Sequence, residues 1–191
     1  DKHVTGVQTC ALPILGNRLK SRMDSHPKMQ METTPMDVMS REQTLEFLQT
    51  HVKTEMLMKH LFAVEASMRG YARKFGGDEE QWAIAGLLHD FDWEICPTPE
   101  DHPTYGAQIL RDHGYPEDII RAVLTHGEHT GIHGGSQMEH SLFAVDELTG
   151  FIRAVGLVSP SKSLDDVTPK SVRRKLKDKN FAKDVSRDDI Q

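Results

Sequence analysis

Between about residue 40 and residue 158, hydrophobic residues recur every three to four positions, in blocks separated by turn signals. That spacing predicts amphipathic helices. Ser40-x-x-Gln43 resembles a capping box and is followed by Leu45, Leu48 and Val52 on one face. Thr54 opens a longer helix that places Leu57, Leu61, Val64, Met68 and Phe75 on one side and ends at Gly76-Gly77. Asp78 caps a third helix, whose apolar run through Trp82, Ile84, Ala85, Leu87 and Leu88 leads into His89-Asp90. Pro97, Pro99 and Pro103 punctuate a loop, and Pro103 suits the first position of a helix reaching about Asp112. Pro116 starts another helix, through Ile119, Ile120 and Val123 to Thr125. A Gly- and His-rich loop over 126–136 precedes a long apolar helix from 138 to about 158, and Thr168-Pro169 caps a final basic helix. No stretch alternates with period two for long enough to make a strand. The expected class is all-α: a single-domain bundle of about six to eight helices.

The two ends do not follow this pattern. Positions 4–14 read VTGVQTCALPI, the translation of a common sequencing adapter, and are set aside from fold reasoning. The rest of the leader to Asp37 has no periodicity and is expected to be disordered. Ser186-Arg187-Asp188-Asp189 reads as a helix N-cap with an acidic first turn just before the chain stops, so the natural protein is expected to continue. The expected organisation is a foreign and disordered leader over 1–37, a helical domain over 38–160, and a basic helix with a truncated tail over 161–191.

Composition narrows the function classes. The 191 residues, 37% of them hydrophobic, suffice for one core and not comfortably for two. A net charge of −6 argues against general nucleic-acid binding. No apolar run approaches the roughly 20 residues of a membrane span. Two cysteines, Cys10 and Cys96, make neither a disulfide framework nor a cysteine-rich zinc site, and a cytoplasmic location fits best. Histidine is the excess residue, with eleven copies.

Some polar residues stand where apolar ones belong. His60 shares a helix face with Leu57 and Val64. His89-Asp90 closes an apolar run, His126 ends an apolar helix, and Asp146 is embedded in Leu142-Phe143-Ala144-Val145 with Leu148 beyond. A buried carboxylate without a partner costs several kcal/mol, so Asp146 requires a cation, donors or a metal. With His102 the series is His60, His89-Asp90, His102, His126 and Asp146, each on or at the end of a predicted helix. A bundle can turn such residues to one point. Four imidazoles and two carboxylates can serve two divalent cations. Asp90 has two oxygens with which to bridge both, while His89, about 100° further round the helix, serves one.

These residues resemble the HD-domain superfamily of metal-dependent phosphohydrolases, named for its His…His-Asp…Asp pattern. The likeness runs from about Glu42 to Val158 and extends into the basic tail. His102-Pro-Thr-Tyr-Gly-Ala and Ile119-Ile-Arg-Ala-Val-Leu-Thr-His126 are similar to six-ligand, two-metal members, including bacterial dinucleotide polyphosphate hydrolases. The chain looks most like small stand-alone predicted hydrolases with the HDIG-type motif. Phe91-Asp92 stands where that motif has Ile-Gly, and the Gly-Tyr-Pro extension of cyclic-dinucleotide phosphodiesterases is absent after His126.

The resemblance implies hydrolysis of a phosphate ester or anhydride, with a nucleotide favoured, through a metal-activated hydroxide. The partner is then a small phosphorylated substrate. The nitrogen and oxygen ligands suit one or two Mn, Fe, Co or Ni ions, with Mg or Zn admissible. Asp92, Glu94 and His129 are candidates for proton transfer or for orienting the ligands. Arg173, Arg174 and Lys175, in the one strongly basic stretch, are candidates for a phosphate clamp, against the simpler reading of a solvated helix face. The rival functions are a non-catalytic ligand-binding or signalling module that keeps the metal cage, and a di-iron oxygenase on the same scaffold.

Overall fold

The computed structural model describes residues 39–183 and 185–190; the leader and its adapter-like segment lie outside them. Seven α-helices and no strand occur among the described residues: α1 (Arg41–His51), α2 (Glu55–Phe75), α3 (Glu79–Leu88), α4 (Thr104–Asp112), α5 (Glu117–His126), α6 (Gln137–Leu157) and α7 (Pro169–Leu176). Short 3-10 turns cover Pro99–Asp101, Glu128–Thr130 and Leu164–Asp166. No helix among the described residues is long and apolar enough to cross a membrane.

The helix starts carry the expected caps. Ser40 and Gln43 form a reciprocal capping box, Thr54 accepts from Leu57 N, and Asp78 accepts from both Glu80 N and Gln81 N. Gly76, at φ 72°, closes α2 in the left-handed conformation that glycine adopts without strain. Two starts differ from expectation. Pro103 caps α4 and the helix begins at Thr104, and residues 187–190 form turns where the sequence predicts a helix. Ser186 does accept from Asp189 N, at 3.3 Å, as a helix cap would.

The main core gathers α1 to α5 and the first half of α6. α2 packs against α3 and α6, and α5 packs against α3, α4 and α6. Leu48, Leu61, Val64, Met68, Leu87, Ile119, Ile120 and Leu142 are wholly buried. Phe91, just beyond α3, is equally buried and meets the Phe47 ring at 5.0 Å. Phe75, expected on the buried face of α2, stands 44% exposed in the last turn, beside the Trp82 ring of α3 at 6.4 Å between centroids. A second, smaller core forms where Val172 of α7 meets Phe151 and Val155, beyond the middle of α6.

The close packing of α2 on α3 depends on a glycine. A Cβ at Gly86 would lie 3.0 Å from the backbone nitrogen of Glu65, so the two helices approach as they do because residue 86 has no side chain. Nearby, the buried Glu65 carboxylate ties the bundle together, accepting from Arg41 of α1 (2.6 and 3.0 Å) and from Arg69 (3.2 Å).

Candidate metal centre

α3 ends at Leu88, and the chain turns inward at once. His89 is fully buried and Asp90 partly buried, with 17% of its side chain exposed. Across the packed helices, His60 of α2 brings its Nε2 to 3.1 Å from His89 Nε2. Asp146 of α6 places Oδ1 at 3.0 Å from His60 Nε2 and 3.6 Å from His89 Nε2. Asp90 completes this group through Oδ2, at 3.5 Å from His60 and 3.3 Å from His89.

The second oxygen of Asp90 faces another pair. Oδ1 lies 3.1 Å from His102 Nε2 and 3.3 Å from His126 Nε2, and these two nitrogens are 3.0 Å apart. Two clusters able to hold a metal therefore share one carboxylate: His60, His89, Asp90 and Asp146, and Asp90, His102 and His126. In each, the candidate ligand atoms lie within 4.8 Å of one another. The structure thus brings together all six residues singled out in the sequence, and His102 points inward and is buried despite its proline-rich loop.

The tautomers of three imidazoles follow from their other nitrogen. His89 Nδ1 lies 2.8 Å from Gly86 O, and His126 Nδ1 lies 2.5 Å from Val123 O. A carbonyl only accepts, so Nδ1 carries the proton in both. His102 Nδ1 donates in the same way to Asp92 Oδ1 at 2.7 Å. In the neutral rings Nε2 is then a bare lone pair. When both rings are neutral, His102 and His126 face each other at 3.0 Å with no proton to share, an arrangement that suits a cation between them; without a cation, a protonated His102 donates from Nε2 to Asp90 Oδ1 at 3.1 Å. Helix ends act in the same direction. His89 follows the last residue of α3 and His126 is the last of α5, and a helix C-terminus carries partial negative charge.

The carboxylates draw positive charge onto the group. Burial alone would lower the His102 pKa, but Asp90 and Asp92 outweigh it and push the ring up to about 9. Burial likewise disfavours charge on His89 and on His60, yet Asp90 and Asp146 raise both, His89 strongly. Asp90 is held well below the usual carboxylate range: burial opposes this, and the charge on His89 with hydrogen bonds from His102, His126 and His60 overrides it. Asp146 is depressed too, against burial, by His60 and His89.

The other sequence candidates have different places. Asp92 is fully buried and points away from solvent, so it does not offer its charge to a substrate. One oxygen accepts from His102, and the other accepts from Gly106 N at 2.8 Å. A Cβ at Gly106 would sit 2.7 Å from Asp92 Oδ2, so the glycine is what lets the carboxylate reach this backbone. Glu94 does not face the centre. Its carboxylate accepts from Lys53 N at 2.6 Å, from Thr54 N at 3.1 Å and from the Thr54 hydroxyl, and so caps the start of α2. The Thr54 hydroxyl and these amides keep its pKa low, which suits a cap and not a proton donor. His129 is exposed in the 3-10 turn after α5 and contributes no atom to either cluster. Arg173 lines a separate basic pocket with Lys177, Lys179 and Lys183, Lys175 stands over the Phe181 ring at 4.4 Å, and Arg174 is exposed. None of the three shares a pocket with His60.

Sequence reasoning misses the acceptors that fix the rings. Gly86 O and Val123 O each lie three residues before a histidine at a helix end, and that spacing is the only sequence signal for them. Gly106 is visible inside the His102-Pro-Thr-Tyr-Gly-Ala string, but nothing in the string connects it to Asp92.

Compared with known proteins, the model of the HD domain family matches residues 57–152, half of the chain, and all six clustered residues fall inside that span. No curated protein and no solved structure matches the chain.

Proposed function

The chain belongs to the HD-domain family, and from that membership we propose that it is a metal-dependent phosphohydrolase cleaving a phosphate ester or anhydride, with a nucleotide the favoured substrate. His60, His89, Asp90 and Asp146 would hold one divalent ion, and Asp90, His102 and His126 a second. The observation that carries this reading is the division of Asp90: one oxygen faces each cluster. The donors are imidazole nitrogens and carboxylate oxygens, which suits Mn, Fe, Co or Ni.

Divalent ions held there would supply Lewis acidity to phosphoryl oxygens and make water acidic enough to react near neutral pH. The charge balance favours an anionic substrate, since two carboxylates only partly neutralise two divalent ions. The chain's own part is positioning. Carbonyls at two helix ends lock His89 and His126, and Asp92 locks His102. Of the three candidates for proton transfer or orientation we retain Asp92, as a positioning residue. Side-chain exposure of 22% at His60 and 28% at Asp146, against none at His89, makes the α2–α6 side the approach for substrate.

The test is elemental analysis of the purified protein together with phosphate release from a nucleotide panel in Mn²⁺ or Co²⁺. The expected result is bound metal and turnover, with turnover lost in His89→Ala and Asp90→Ala, and with the metal cut to one ion in the first and to none held tightly in the second, while most helicity remains. A protein that takes up no divalent ion sinks the reading. Metal with tight nucleotide binding but no turnover would make it a non-catalytic module, and oxygen-dependent turnover of an iron-loaded sample would make it an oxygenase.

A further inference from the structure

A cavity of about 780 Å³ lies between the end of α7 and the segment that follows it. Its size falls within the roughly 300–1,000 Å³ of small-molecule sites. It shares no lining residue with either metal cluster or with the pocket that His60 lines. Arg173 and Lys177 reach its wall from α7 and its C-cap, and Lys179 and Lys183 from the turns beyond.

Residues 169–183 hold seven lysines and arginines and one acid, Asp178, in a chain of net charge −6. Helix geometry accounts for part of this excess. Cations in the last turn of α7 complement the negative end of the helix dipole, and Lys175 is used against the Phe181 ring at 4.4 Å. Lys179 and Lys183 lie past the helix, where the dipole no longer acts. The side chains of Arg173, Lys177, Lys179 and Lys183 make no hydrogen bond or ion pair with any described residue, and Asp188, the one acid on the wall, pairs with none of them. Arg73 and Arg111, by contrast, are surface cations that each find a carboxylate at 2.6 Å. Four like charges around one hollow repel one another, and an anion in the hollow removes that repulsion.

The frame that holds these charges is folded. The Arg187 guanidinium donates to Ala182 O and Val185 O at 2.5 Å each and to Phe181 O, and lies 4.9 Å from the centre of the Phe151 ring. Phe181 meets the same Phe151 at 5.5 Å. The turns carrying Lys179 and Lys183 are thus anchored on α6. Leu176, Val185 and Ile190 give the hollow an apolar floor, which lowers the local dielectric and strengthens the pull of the cations.

We infer that this cavity is a second anion site, for a compact polyphosphate such as a triphosphate chain, whose charge of about −4 matches the four cations. Its form decides against larger polyanions. A nucleic-acid surface is a basic stripe or groove that tracks an extended backbone, and a membrane-binding patch is an open face, whereas here the cations converge on one hollow. No residue of the metal centre contributes, so the site stands apart from the phosphohydrolase reading.

Isothermal titration of the metal-free full chain, in chelator-stripped buffer, tests this with tripolyphosphate as the probe. One site per chain is expected, weakened about tenfold by Lys179→Glu and by Lys183→Glu, both at exposed positions. Lys179→Gln and Lys183→Gln, which remove charge without reversing it, should each cost about threefold, and circular dichroism checks that every variant keeps its helicity. Arg174→Glu, exposed on the same basic segment but outside the cavity wall, should change affinity by less than about threefold at physiological salt. No binding of tripolyphosphate, equal losses in all three charge reversals, or no loss in any of them would overturn the proposal. Tighter binding of a thymidine oligonucleotide or of phosphatidylserine vesicles than of tripolyphosphate would also overturn it, and would make this face a surface for a macromolecule or a membrane.

Discussion

His102 and Asp92 meet at 2.7 Å, Nδ1 to Oδ1, with the carboxylate sealed from solvent and its other oxygen on the Gly106 amide. Both Asp92 oxygens accept, so an amide cannot replace it: one end of an asparagine would turn NH₂ toward a donor. Asp92→Asn should lower metal affinity at the His102–His126 cluster by about 10–100-fold, the usual cost of losing such a partner. The His60–Asp146 cluster should keep its ion. Metal titration followed by calorimetry resolves the two, and equal weakening of both would show that Asp92 acts on the fold and not on His102.

Gly106→Ala tests the same contact from the other side. The new Cβ would lie 2.7 Å from Asp92 Oδ2 and 2.9 Å from Phe91 Cε1, so either the carboxylate or the start of α4 must shift. The expected outcome is a loss of about 1–3 kcal/mol in chemical denaturation, typical of overpacking, together with the metal-binding defect of Asp92→Asn.

Glu94→Gln separates a cap from a catalytic acid. Glu94 holds two amides and a hydroxyl at the start of α2. The variant should lose about 0.5–2 kcal/mol of stability, as helix caps do, and keep metal stoichiometry and turnover. A large fall in turnover with intact stability would return Glu94 to the active site.

The histidines give the metal-free protein a distinct pH response. His102 titrates at about 9 in the folded chain, above the ordinary histidine value, because Asp90 and Asp92 overcome burial. A raised pKa contributes stability that is complete below about 6.5 and is lost as pH rises through the folded value. In chelator, Tm should therefore fall between about pH 6.5 and pH 9. Asp90 and Asp146 are depressed, so their contribution is present above the ordinary aspartate range and is lost on acidification below it. A cation competes with the same protons, so the Tm rise caused by Mn²⁺ should grow with pH over the upper window. A Mn²⁺ effect that shrinks toward pH 9 would contradict this.

The sequence displays the centre because its members break a pattern. His60 interrupts the face of Leu57 and Val64, and Asp146 interrupts an apolar helix, so both are legible from periodicity. His102 is not, since a loop residue breaks no periodicity and only the resemblance to known proteins points it inward. Asp92 stands in the sequence as a charge added where a glycine is usual. Its direction depends on Gly106, which lies fourteen residues on and is joined to it only by folding. Glu94 illustrates the opposite failure: its closeness in sequence to Asp90 suggests a role there, whereas its partners lie about forty residues earlier at the start of α2. Arg173, Arg174 and Lys175 carry charge of the right sign, but α7 packs on Phe151 and Val155, beyond the half of α6 that carries Asp146.

Metal stoichiometry of single-ligand variants bears most directly on the central claim that Asp90 joins two sites. Equilibrium dialysis against Mn²⁺ should give two ions per chain for the unaltered protein, one for His102→Ala, one for Asp146→Ala, and none held tightly by Asp90→Ala. An unaltered protein that binds no Mn²⁺, or an Asp90→Ala variant that still binds two ions, would contradict the account.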